Sequence, residues 1–301
     1  MKQRLFPDFQ PTCKRLVCID SDGCAFDTME LKHKECFCPA TVQVWGLQAI
    51  SKFVREAWEY CNLYSKDRGR SRFHELILVF DLLREREEVK EYNFDLPDIT
   101  SFRHWVATSP VLNNEVLAKH KDDPVLQRAL QWSLEMNRRV AEMVKGVPPF
   151  PGVEQTLRLL KGKADIAIVS ATPKEAVRRE WAEHDLMQFV SVACAQEDGN
   201  KRQCIHALAG HYADHQVLMI GDAPGDLEAA RESGALFFPI LPGDELHSWK
   251  QFVSDGIHHF LNNTYAGEYE MELIKAFNHS LPDSPPWRRK YDSCSHLAED
   301  N

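Results

Sequence analysis

The sequence predicts an α/β fold: a parallel β-sheet flanked by helices, with an all-helical block inserted behind its first strand. Three observations carry this. Residues 15–20 (RLVCID) form a short, mostly apolar run that reads as a buried strand. From Pro151 onward, similar runs alternate with helical stretches of about ten to fifteen residues, the pattern of strands joined by crossover helices. Between these two regions, residues 29–147 carry helical periodicity.

Taken in order, the first strand is followed by helices that can be placed from spacing. Ile50, Phe53, Val54, Ala57, Trp58 and Cys61 recur on one helical face. His74 to Arg84 forms a second apolar helix, and the charged run Arg84-Glu85-Arg86-Glu87-Glu88 then reads as a solvated face or turn. A third helix opens with Asp123 as N-cap and Pro124 at its first position, carries Leu126, Leu130, Ser133, Val140 and Val144, and stops at Pro148-Pro149. A helix over 152–162 leads to a strand at 165–170 (DIAIVS). The helix from Pro173 has Thr172 and Glu175 placed as a capping box. Strand 189–193, helix 201–210, strand 216–221, helix 224–233 and strand 235–239 complete the alternation. The expected division is a core of 1–28 and 148–281, a helical domain of 29–147, and a polar, proline-rich tail at 282–301.

A chain of 301 residues with 44% apolar and 27% charged residues can bury a core without staples. The net charge of −9 argues against a nucleic-acid grip, which needs a basic surface. The longest apolar run, Leu76 to Phe80, is too short to span a bilayer, and the N-terminus lacks the apolar stretch of a signal peptide. The nine cysteines show no disulfide-framework spacing, so reduced thiols in a cytoplasmic protein are expected. Cys36-Phe37-Cys38 is a weak soft-metal candidate, since it lacks a second Cys/His pair.

Polar residues collect at the carboxyl ends of the predicted strands, where ligands of open parallel sheets bind. Asp20 and Asp22 follow the first strand, Ser170 ends the second, Asp222 and Asp226 follow the fourth, and Lys201 opens the preceding helix. Taken singly, each has an ordinary explanation: a turn, a strand end, a solvated helix start, a cap on helix 226–233. Together, several carboxylates converging at one edge require a cation. All-oxygen ligation favours a hard ion, with Mg²⁺ shared between carboxylates and substrate phosphate the best fit.

These residues resemble the motifs of the haloacid dehalogenase-like hydrolase superfamily. Asp20-Ser21-Asp22-Gly23, continued by Phe26-Asp27-Thr28, is similar to its first motif, and Ile166 to Ser170 to its second. Lys201 is the best-placed third-motif lysine, with Lys174 as the alternative, and Gly221 to Asp226 matches the fourth motif. The resemblance implies a Rossmann-like parallel sheet core with an inserted all-helical cap domain, and a Mg²⁺-dependent phosphatase acting on a small phosphorylated metabolite. By the same resemblance Asp20 is the nucleophile that forms an aspartyl-phosphate and Asp22 the acid, then base. Ser170 and Lys201 hold the phosphoryl oxygens. Asp20, Asp22 (through its carbonyl), Asp222 and Asp226 serve the metal, and Gly23 and Ala171 lie beside the substrate. An aspartate at position 22 points to phosphate-ester chemistry rather than to the dehalogenase or phosphonate-cleaving branches. A phosphomutase using the same nucleophile, or a non-catalytic binding module on the same fold, is the alternative. In the helical block, Lys32-His33-Lys34 and the loop Lys66 to Arg72 are basic clusters, and Arg70 and Arg72 are candidates to meet a second anionic group of the substrate.

Overall fold

The structure is a computed structural model that describes residues 5–288. Within these, the chain divides into two compact units. One comprises the chain up to Met29 together with Lys145–Ser280; the other comprises Glu30–Val144 with the chain from Leu281 onward.

The first unit is built on a five-stranded parallel sheet of order β3-β2-β1-β4-β5, with β1 Leu16–Ile19, β2 Asp165–Val169, β3 Val192–Cys194, β4 Val217–Gly221 and β5 Leu236–Pro239. β1 is central, pairing Leu16 with Asp165 on one side and with Val217 on the other. Every residue of β1, β2 and β4 is buried, which explains why these strands read as continuous rather than alternating apolar runs. β3 begins later than expected, because Leu186–Phe189 form a 3₁₀ turn.

Residues 240–281, for which sequence periodicity gave no elements, contain helices Glu245–Gln251, Ile257–Leu261 and Glu268–Ser280. They bury Trp249, Phe252 and Phe260 in the core beside Phe238. They also close the edge strand: Glu270 Oε1 accepts the Phe237 N–H at 2.8 Å, and the Tyr265 hydroxyl donates to the Phe237 carbonyl at 3.0 Å. An uncovered edge would offer those groups to another chain. At the opposite end of the sheet from the acidic residues, buried Asp165 accepts from Thr12 N–H, Cys13 N–H and the Tyr212 hydroxyl, tying the entering chain to β2.

The second unit is all-helical. The predicted Asp123 cap is present, its carboxylate accepting from Val125 N–H at 2.9 Å and Leu126 N–H at 3.0 Å at the start of helix Pro124–Met143. Trp45, Trp58, Trp105 and Trp132 are core, with two indoles finding buried partners: Trp58 donates to His33 Nδ1 and Trp132 to the Thr41 hydroxyl. Cys36 and Cys38 are buried in the π-helical segment Lys32–Phe37 and the helix that continues it, Cys38–Val44, and belong to no metal-holding group among the described residues.

Two sequence expectations change here. Arg86 is not on a solvated face. It is buried, pairs with Glu56 and Glu88, and lies 4.6 Å from the ring centroids of both Phe53 and Trp287. Trp287 in turn corrects the expected tail at 282–301. Leu281 and Trp287 are buried, the Tyr60 hydroxyl donates to the Pro282 carbonyl, and Lys66–Asp283 and Arg288–Glu85 are ion pairs. A guanidinium between two aromatic faces is worth about 2 kcal/mol when desolvated, enough to hold a proline-rich segment whose composition reads as loose. The rest of that expected tail, 289–301, lies outside the described residues.

Glu75 is fully buried in helix Arg72–Glu85, and neither carboxylate oxygen has a hydrogen-bond partner among the described residues. Burial, reinforced by Asp67 and opposed by Arg70, pushes its pKa from 4.5 up to about 9. Unfolding therefore releases a proton between those values, so stability is greatest below the unfolded pKa and falls as pH rises towards the folded one. The slope is roughly 1.4 kcal/mol per pH unit at its steepest. Thermal unfolding of Glu75→Gln should lose this dependence, with the variant gaining on the parent as pH increases from about 6 to 8. A melting-temperature difference that is constant with pH would remove Glu75 as its source.

Candidate active site

At the carboxyl ends of β1 and β4, Asp20, Asp222, Asp226 and Lys201 come together. Asp20 extends β1 by one residue, its N–H donating to the Ile220 carbonyl of β4 at 3.0 Å, so the sheet ladder itself delivers the side chain. Asp222 follows β4 directly. Asp226 lies in the first turn of helix Pro224–Glu232, where its Oδ2 accepts from the Asp222 N–H (3.2 Å) and the Ala223 N–H (3.0 Å). Gly221 makes that return possible. A Cβ at this position would lie 2.5 Å from Cβ and Cγ of Asp226, so any side chain would displace the carboxylate.

Asp20, Asp222 and Asp226 are all buried, and each offers an oxygen within 4.8 Å of the others. Lys201 enters this group. Its Nζ lies 2.7 Å from Asp20 Oδ2 and 2.6 Å from Asp226 Oδ1, with only 20% of its side chain exposed. The helix Lys201–Ala209 that carries it is started by a reciprocal cap, Asn200 Oδ1 accepting from Gln203 N–H and Gln203 Oε1 from Asn200 N–H. Lys174, the alternative lysine, instead pairs with Asp198 at 2.7 Å. Of the two lysines, Lys201 is the one that reaches the carboxylate group.

Burial pushes the Asp20 carboxyl well above the usual carboxylate range; Lys201 opposes this, while Asp226 and Asp222 add to it. Against desolvation, Asp20 and Asp226 hold the Lys201 ammonium far into its charged form. The group holds three carboxylates, two of them paired with Lys201. Its all-oxygen donor set fits a divalent hard cation.

Asp22 does not join the three. The loop after β1 turns sharply: Ala25 and Phe26 N–H groups both donate to the Ser21 carbonyl at 3.0 Å, and the Gly23 N–H donates to the Phe26 carbonyl at 2.8 Å. Gly23 has φ +76°, a left-handed conformation that glycine adopts without strain. Two buried indoles secure the loop from beneath, Trp181 donating to the Ser21 hydroxyl (3.0 Å) and Trp249 to the Cys24 carbonyl (2.8 Å). This turn carries the Asp22 carboxylate to two hydroxyls. Thr28 donates to Oδ1, and Thr172 donates to Oδ2 at 2.7 Å.

Ser170 is buried at the end of β2, its Oγ accepting from the Thr172 N–H at 3.2 Å, and Ala171 between them is exposed. Thr172 is the residue sequence reading misplaced. The capping box expected of Thr172 and Glu175 is absent; helix Lys174–Glu183 has Pro173 at its N-cap without a side-chain bond, and the Lys174 N–H donates to Glu197 instead. No sequence signal separates a threonine that caps from one that reaches a residue 150 positions earlier.

Arg70 and Arg72 belong to the helical unit and find partners there. Arg70, 57% exposed, pairs with Asp67 at 2.9 Å. Arg72 donates to Asn137 Oδ1 at 2.7 Å and to the Ser133 carbonyl and hydroxyl, and stacks over Phe37. It joins two helices, a packing task rather than a free cationic surface. Within the other basic cluster, Lys32 and His33 are buried and Lys34 pairs with Glu30.

The haloacid dehalogenase-like hydrolase family profile matches residues 14–234, and the chain belongs to that family. Among solved structures, it is similar to a subfamily IA hydrolase of this superfamily from Geobacter sulfurreducens (17% identity, 77% of this chain and 89% of that one, TM-score 0.40). It is also similar to a predicted phosphoglycolate phosphatase from Haemophilus somnus (16% identity, 75% and 84%, TM-score 0.47). No curated protein matches the chain at the sequence level.

Asp226 accepts two buried amides, so Asp226→Ala, which orphans both, should cost about 1–3 kcal/mol for each. Asp226→Asn, which keeps an oxygen for the amides, should cost less. Equal loss in denaturant titrations of the two variants would mean that the capping amides contribute nothing.

Proposed function

We propose that the protein is a phosphoric monoester hydrolase that removes phosphate from a small phosphorylated metabolite through an aspartyl-phosphate on Asp20. The observation that carries this reading is a buried group of three carboxylates, two of them paired with Lys201, with a fourth aspartate held apart on two hydroxyls. A nucleophile and an acid with different surroundings can take different roles.

In this reading Asp20 attacks phosphorus, and the bond to the leaving oxygen breaks as Asp22 donates a proton to that oxygen. Asp22, now ionised, takes a proton from the water that attacks the acyl phosphate, releasing inorganic phosphate and restoring the Asp20 carboxylate. Lys201 and the Ser170 hydroxyl hold the phosphoryl oxygens, and Lys201 offsets the charge that develops on them. Asp20, Asp222 and Asp226 would hold Mg²⁺, with the Asp22 carbonyl beside them; when bound, the ion supplies the positive charge that lets a carboxylate approach a phosphate dianion. Gly23 and Ala171 leave room at the substrate phosphate.

Asp20→Asn should lower turnover of 4-nitrophenyl phosphate on the order of a thousandfold or more, as loss of a covalent nucleophile does. Retained turnover would overturn the assignment. EDTA should silence the protein, with Mg²⁺ restoring it and raising the melting temperature of the parent but not of Asp222→Asn. Activity that survives chelation would remove the divalent ion.

A further inference from the structure

Asp22 sits on a loop, yet the proposed chemistry needs its carboxylate aimed first at a leaving oxygen and then at water. A misplacement of about 1 Å can cost a hundredfold in rate, so something must fix that side chain. Thr172 is built to do so. Its main chain is held on both sides, the N–H donating to Ser170 Oγ at 3.2 Å and the carbonyl accepting from the Gln196 N–H at 3.1 Å. Its one hydroxyl proton is directed to Asp22 Oδ2 at 2.7 Å. The nearer use for that hydroxyl, capping the helix two residues ahead, is supplied by Glu197, which accepts the Lys174 N–H at 2.9 Å. Thr28 takes the other carboxylate oxygen, but it lies six residues along the chain that Asp22 itself begins. Thr172 comes from the end of a different strand, β2, and ties the loop to the rigid sheet.

We propose that Thr172 is a positioning residue that orients the Asp22 carboxylate for proton transfer. The inference rests on the acid–base role of Asp22 given above. It links Asp22 to Ser170 through one residue, so the group that would hold phosphate and the group that would protonate the leaving oxygen share a support. A leaving oxygen that is a weak base departs without much help from an acid; a more basic one depends on it. The orientation of Asp22 therefore weighs more heavily on phenyl phosphate than on 4-nitrophenyl phosphate.

The test uses the full chain loaded with Mg²⁺ and these two esters. Thr172→Val should reduce kcat for phenyl phosphate about tenfold more than kcat for 4-nitrophenyl phosphate, with KM changing by less than about threefold. Thr172→Ser should restore the parent ratio. Mg²⁺ should raise the melting temperature of Thr172→Val as much as that of the parent, because Thr172 touches none of the three clustered carboxylates. Thr172→Ala serves in the same assay should the valine variant not fold. An equal fractional loss on both esters, failure of serine to rescue, or loss of the Mg²⁺ shift would each overturn the inference. Asp20→Asn is run alongside. If it stays active, the aspartyl-phosphate reading itself fails; if it is inert while the ester ratio is unchanged in Thr172→Val, that reading stands and only the role of Thr172 is lost.

Discussion

The ion pairs of Lys201 with Asp20 and Asp226 are the constraint on which the sheet edge depends. Buried carboxylates at such close range repel, and desolvation alone would drive them to protonate. One ammonium shared between the ends of β1 and β4 lets them stay where the backbone puts them. The three carboxylates together form an all-oxygen donor set, which is the physical reason a divalent cation suits the site. Asp226 shows how tightly the parts are joined. Its two oxygens divide between a lysine and the two amides just ahead of a helix, so one residue serves both the fold and the charge balance. Gly221 carries no side chain because that carboxylate occupies its space.

Around this edge, the loop after β1 is a rigid element rather than a flexible one. Its carbonyls are bound by its own amides and by the indole of Trp249, and its Ser21 hydroxyl by the indole of Trp181. The donors come from helices Lys174–Glu183 and Glu245–Gln251, so the core beneath the sheet edge holds the loop in place. Large aromatic side chains with one polar atom suit such positions, since they fill volume and still satisfy a buried carbonyl. Cys24, within the same loop, is buried with its thiol donating to the Ile220 carbonyl of β4 at 3.5 Å; burial pushes that thiol well above the usual range, away from nucleophilic use.

The helical unit follows a different economy. Its tryptophans and phenylalanines form the core, and two of its arginines are drawn into packing. Arg72 bridges two helices and Arg86 is stacked between Phe53 and Trp287, each using the flat guanidinium that a lysine lacks. Two arginines of this region thus hold parts of the unit together, Arg72 between helices and Arg86 against the segment after Ser280. Among the described residues, no helix is long and apolar enough to cross a membrane.

Much of this molecule is legible along the chain. Strand positions, the parallel topology, the interruption after the first strand, and the group formed by Asp20, Asp222, Asp226 and Lys201 all follow from local signals: apolar runs, helix caps, and acidic residues at strand ends. Such signals survive because they depend on neighbours within a few residues and on the one rule that strand ends of a parallel sheet meet. What only the tertiary structure decided were the partners of side chains with several options. Thr172 could cap a helix or reach Asp22; Arg72 could face solvent or join Ser133 and Asn137; Trp287 could belong to a loose tail or lie against Arg86. Each choice turns on distances between residues far apart in sequence, which hydrophobic periodicity does not encode, and each is settled by which polar atom can be satisfied where the chain happens to be buried.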